Sequence, residues 1–111
     1  MTEKVSPAAQ LKKLEKYIYN LKAARQLNTL SRAPREAMMA LRNDVSNARI
    51  QVEGYQNSDD TREQAGMLVR AQELLAAVQE DILQAGGYDL IDAVDVAQLS
   101  AMNELIIERL R

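Results

Sequence analysis

Cysteine, histidine, tryptophan and phenylalanine are all absent from the 111 residues. Without cysteine there are no disulfides and no thiol chemistry; without histidine there is no imidazole base and no zinc site of the Cys/His type. Triad hydrolysis and the Glu-x-x-His di-iron chemistry of four-helix proteins are excluded with them. Tyr17, Tyr19, Tyr55 and Tyr88 are the only aromatics, so a core has to be built from aliphatic side chains. Long apolar runs are missing too. The longest, such as Leu74 to Val78, span five residues, too few for a membrane span, and the polar stretch from Met1 to Lys13 has no apolar segment of the signal-peptide kind. A cytoplasmic protein that makes no use of a membrane is the expectation.

What is present has globular composition, 47% apolar and 27% charged, with room for one domain over residues 1–111. The net charge of −2 hides an asymmetry. Ten Lys/Arg stand against four acids through Arg49, and four against twelve beyond it, so the halves carry +6 and −8. Two accounts are open. A basic face drawn from Lys12, Lys13, Lys16, Lys22, Arg25, Arg32 and Arg35, continued by Arg42 and Arg49, meets phosphates or an acidic partner. Alternatively the halves fold back on one another and their rims attract, as charges flanking coiled helices do.

Apolar spacing gives helices throughout. Ser6-Pro7 reads as a cap followed by a proline at the first helical position, and Leu11, Leu14, Ile18 and Leu21 recur at steps of three and four, a helical stripe that no strand can match. Past Leu21 the stripe turns toward Ala24, Leu27 and Leu30, and a first helix over 7–30 is expected. Pro34 should break the chain and open a second helix over 34–53, with Met38, Leu41, Val45, Ala48 and Val52 inward and Gly54 as its terminator. Asp60 and Glu63 predict a capping box for a third helix over 60–85, whose stripe Leu68, Ala71, Leu75, Val78, Ile82 and Ala85 is widened by Met67 and Leu74. That width suits a central helix. Residues 88–95 read either as a connector tucking Leu90 and Ile91 inward or as the start of a helix. A fourth helix is expected over 96–110, capped by Asp95, with Val96, Leu99, Met102, Ile106 and Leu110 inward. Short turns make consecutive helices antiparallel, so the fold class is all-α: an elongated antiparallel bundle of three long helices and a shorter C-terminal fourth, with coiled-coil-like packing.

Chemistry finds little support. Asp89, Asp92 and Asp95 lack the glycine and glutamate of a calcium loop, and capping explains them. Gly86-Gly87 follows no strand and precedes no Gly-Lys-Ser/Thr, which makes it a helix end. Lys16-Tyr17-Ile18-Tyr19 interleaves charge and aromatics as single-strand binders do, but Ile18 must face inward, with Tyr17 at the seam's edge and Tyr19 more exposed. Catalytic, metal and cofactor sites are therefore not expected. Met39 and Ile50 fall off the stripe of the second helix, and Leu105, Ile107 and Leu110 widen the apolar arc of the last one. These five are the candidate contacts with a partner or a second copy. The expected function is a non-enzymatic interaction or assembly factor of the adaptor, chaperone or regulator type that self-associates. The alternative is a nucleic-acid-binding regulator using the basic half.

Overall fold

The structure, a computed structural model, describes residues 6–111. Helix α1, Pro7–Tyr19, begins where the sequence places it: Ser6 Oγ accepts the Ala9 amide at 3.1 Å, and Pro7 occupies a position whose missing N–H costs nothing. It ends eleven residues before the expected boundary at Leu30. Continuing the helix would have brought Arg25 and Asn28 to the seam. The backbone instead opens at Leu21 (φ −61°, ψ 143°), and a single helical turn, α2, Lys22–Arg25, followed by a 3-10 turn over Leu27–Thr29, folds Leu21, Ala23 and Ala24 into the core. The drift of the stripe after Leu21 was the mark of this break.

Helix α3, Arg32–Asn57, starts before Pro34 and runs through Gly54, correcting both expected ends. Pro34 is the third helical residue, where an amide would have no intrahelical partner; the first i→i−4 bond of the helix, from Arg35 N–H to Ser31 O, lies just beyond it at 2.9 Å. Gly54 is helical, which lets Tyr55 pack on the core, and Gln64 Nε2 satisfies the Tyr55 and Ser58 carbonyls at 3.3 and 2.7 Å. Helix α4, Thr61–Gly87, is capped by Asp60, whose carboxylate accepts the Arg62 and Glu63 amides. The Glu63 side chain takes the Ser58 hydroxyl instead of completing the box. At its far end Asp89 (φ 59°), and neither glycine, supplies the left-handed residue, with Leu90 N–H on Ala85 O and Asp89 N–H on Gly86 O, both at 3.0 Å. Residues 88–92 form a connector that buries Ile91. Helix α5, Ala93–Arg109, starts earlier than expected because Asp92, and not Asp95, is its cap, accepting the Asp95 amide at 2.8 Å.

The four long helices form a ring in which α1 touches α3 and α5, and α4 touches the same two from the opposite corner. All four contacts are antiparallel. Along α1–α3 the pairs are Ala8 with Gln56, Glu15 with Arg49 and Tyr19 with Ser46; along α4–α5 they are Gln72 with Leu110, Asn103 with Leu75 and Gln79 with Ser100. The result is an all-helical up-down-up-down bundle of 44 × 32 × 19 Å. Leu11, Leu14, Ile18, Met38, Leu41, Leu75, Ile82, Leu99 and Ile106 are shut from solvent, and the core is aliphatic as expected. Among the described residues its one polar member is Asn103, fully buried, donating to Leu75 O at 3.0 Å and Gln79 Oε1 at 3.2 Å. A core amide that bonds one specific carbonyl fixes how α4 and α5 slide against each other.

Two glycines of α4 test this packing in opposite directions. A methyl on Gly66 meets nothing within 4 Å, so Gly66→Ala should stabilise by about 0.5–1 kcal/mol through helix propensity alone. A methyl on Gly86 falls 2.8 Å from Val96 Cγ2, where α5 enters, and Gly86→Ala should cost about 1–3 kcal/mol. Urea unfolding followed by circular dichroism separates the two; equal effects would mean that α4 and α5 do not meet at Gly86.

Candidate interaction faces

The ring places the basic and acidic parts of the chain on opposite layers. Among the described residues nine Lys/Arg face four acids through Asn57, the end of α3, and four face eleven beyond it, so the α1–α3 layer carries +5 and the α4–α5 layer −7. The ion pairs Arg32–Glu36 (3.1 Å), Arg49–Glu15 (2.8 Å), Arg49–Glu53 (2.5 Å) and Arg70–Glu73 (4.0 Å) each join residues of one layer. Arg49 sits between two carboxylates. Its hydrogen bond to Glu53 holds the Glu53 carboxyl below the usual range, and the same bonds push the Arg49 guanidinium further up.

Of the expected basic face, Lys12, Lys13 and Lys16 are exposed on α1, Lys22 and Arg25 on α2, and Arg32 at the start of α3, with Arg35 half-buried. They do not form one patch. Lys12 lies toward Glu53, Arg32 pairs with Glu36, and Lys13 turns to the other side of α1, where it lines a groove against α5. Arg25 and Arg42 line a cleft of about 450 Å³ with Tyr19, Gln26, Leu27 and Asn28, and Lys22 lines a neighbouring one with Asn20, Arg25 and Gln26. Arg42 is held over the Tyr19 ring, 4.7 Å from its centroid. The ring is fixed in turn by its hydroxyl, 2.7 Å from Ser46 Oγ.

Neither tyrosine of the Lys16–Tyr19 segment is a free stacking surface. Tyr17 and Tyr19 are both half-buried, and α3 packs on Tyr19. The Tyr17 hydroxyl bonds the Asp95 carboxylate and lies 2.9 Å from Gln98 Oε1; that bond and partial burial push its pKa up to about 12. Asp92 caps α5 and Asp89 ends α4, so the three aspartates serve local structure; among the described residues no group of three acidic side chains is placed to hold a metal ion.

Of the candidate apolar contacts, Met39, Ile50 and Leu105 are 44%, 54% and 51% exposed. Met39 and Ile50 stand eleven residues apart, three helical turns, on one outward face of α3. Ile107 is half-buried. Leu110 is only 4% exposed and belongs to the core, where the end of α5 folds it under α4, so it is withdrawn as a contact. The α1–α5 groove is a mostly apolar cavity of about 180 Å³ lined by Gln10, Lys13, Met102, Leu105 and Ile106. Gln10 Oε1 is shut from solvent there without a donor.

Sequence reasoning missed one pair. Asp81 of α4 meets Asp44 of α3 across the most extensive helix contact in the bundle. Burial first, then the bond with Asp44 and the charges of Asp44 and Glu80, push the Asp81 carboxyl up to about 7. Each aspartate precedes a core residue, Val45 and Ile82, and that adjacency was the only signal. Among the described residues, no helix is long and apolar enough to cross a membrane. The chain matches no protein-family model, no curated protein and no solved structure.

Proposed function

We propose that this chain is a non-catalytic interaction module whose cationic α1–α3 face engages an acidic protein surface. The observation that carries the reading is the separation of charge into layers: the ion pairs described run inside each layer, so the acidic half does not neutralise Lys16, Lys22, Arg25 and Arg42. Unpaired cations on one face raise the encounter rate with an acidic partner and select against basic ones. A nucleic acid would meet the same cations, but Tyr17 and Tyr19 are tied to neighbouring helices and offer no base-stacking platform.

Affinity purification from cell extract with mass spectrometry tests this directly. The expected result is recovery of an acidic protein that is lost with Lys22→Glu/Arg25→Glu and at raised salt, with no retardation of RNA or DNA in a low-salt gel shift. Partner binding insensitive to that charge reversal would exclude the face, and retardation that the reversal abolishes would replace the reading with nucleic-acid binding.

A further inference from the structure

We propose that the cleft between α2 and α3, where Arg25 and Arg42 meet Tyr19, is a binding site for a phosphomonoester dianion. The break at Leu21 builds it: α2 packs on α3, and Arg25 and Arg42 come to line one cavity of about 450 Å³. Arg42 is the fixed member. Its guanidinium lies over the Tyr19 ring, and the ring is anchored through its hydroxyl to Ser46 Oγ, so the planar fork is held in place before a ligand arrives. Arg42 is half-buried, and its Nε is shut from solvent with no acceptor. Among the described residues neither Arg42 nor Arg25 joins an ion pair, and no carboxylate lines this cleft or the neighbouring one that holds Lys22. A partly desolvated cation without a counter-charge costs folding free energy, and a bound anion supplies the partner that the chain leaves out.

Charge and oxygen count choose the ligand. Two guanidiniums, with Lys22 next to them, call for two negative charges and for more acceptors than one carboxylate has. A phosphomonoester near neutral pH carries about −1.5 to −2 and three acceptor oxygens, enough for both forks. A carboxylate or a phosphodiester brings a single charge and leaves one guanidinium without a partner. The side-chain amides of Gln26 and Asn28 line the same cavity and offer further donors. Its volume lies in the range of small-molecule sites, with room for the carbon that bears the phosphate. The site goes beyond the acidic-partner reading, which needs only the sign of the α1–α3 face.

Titration of the ¹⁵N-labelled chain with methyl phosphate at about pH 7 and constant ionic strength, followed by NMR, tests the site. The expected result is a saturable shift of the amide signals of Arg25, Gln26, Asn28 and Arg42 in the millimolar range or below, with acetate and dimethyl phosphate binding about tenfold more weakly. Arg42→Lys keeps the charge but loses the fork and the stacked plane, and should weaken methyl phosphate about tenfold or more at unchanged helix content by circular dichroism. Arg25→Lys, on the exposed single turn, should weaken it about threefold or more. A phosphoserine peptide that binds about tenfold more tightly than methyl phosphate would make a phosphorylated protein segment the source of the group; equal or weaker binding would make the source a free phosphate ester. No saturable shift, equal binding of all three small anions, or binding indifferent to both substitutions would each overturn the site. Because Arg42→Lys preserves the sign of the α1–α3 face, capture of an acidic protein should survive it, and the two readings fail separately.

Discussion

Leu75→Ala should remove about 2–5 kcal/mol of folding free energy. Leu75 lies on the inner face of α4, fully shut from solvent, and α4 packs on both α3 and α5, so neither neighbour can collapse into the vacated space without leaving the other. Loss of the methyls also removes packing beside the Leu75 carbonyl that receives the Asn103 amide. Since domains of this size hold about 5–15 kcal/mol in total, one truncation takes a large fraction of the stability and should lower the melting temperature by about 10–20 °C. Leu83→Ala on the same helix is the control: Leu83 is 57% exposed, and its truncation should stay within about 0.5 kcal/mol. Urea titrations followed at a helical circular-dichroism band measure both. Similar costs at the two positions would contradict α4 as a helix packed between two others.

The distance between what the residues announce and what the chain does is instructive at particular positions. The stripes from Leu11 to Ile18, Met38 to Val52 and Leu68 to Ala85 are legible because a period near 3.6 admits one inner face, and every residue of those stripes is buried except Leu68, which is half-buried. Helix ends were read less well, since they depend on which side chains the neighbouring helices can absorb. The chain breaks at Leu21 because α3 offers a place for Ala23 and Ala24, information that local pattern does not hold. Gly54 and Pro34 mislead for a related reason. Each is read as punctuation, yet proline in a first turn removes no bond, and a glycine between packed turns remains helical when Tyr55 beyond it has core to cover. Asn103 lies in line with Leu99, Ile106 and Leu110, a place the apolar pattern leaves unassigned, and a buried amide there sets register. The charge asymmetry was legible at once. Its meaning needed the ring, because only the pairing order of helices shows that +5 and −7 lie on opposite layers and that the described ion pairs stay within them. Asp44 and Asp81 stand on different helices, and nothing in their spacing pairs them.

That carboxyl pair sets the pH dependence of stability. Asp81 in the unfolded chain titrates near 3.8 and in the folded bundle at about 7, with burial between α3 and α4 as the main cause and Asp44 and Glu80 adding to it. Between those limits the folded chain holds a proton that the unfolded chain has released, so the Asp81 contribution is fully present below about pH 4 and is lost as pH rises through about 7. The full shift corresponds to about 4 kcal/mol at 1.36 kcal/mol per unit; because the side chain is partly solvated, about 1–3 kcal/mol is the expected change. The direction is opposite to that of the salt-bridged Glu53, whose lowered pKa contributes stability that disappears on acidification. Asp81→Asn keeps the size of the side chain and a donor for Asp44 but carries no titrating proton. The variant should match the wild type near pH 4, exceed it by about 1–3 kcal/mol near pH 8.5, and show a flatter profile between, as measured by urea unfolding at each pH. A wild type equally stable at both values, or a variant that loses stability as pH rises just as the wild type does, would mean that Asp81 is ionised in the folded bundle and that Asp44 and Asp81 lie apart.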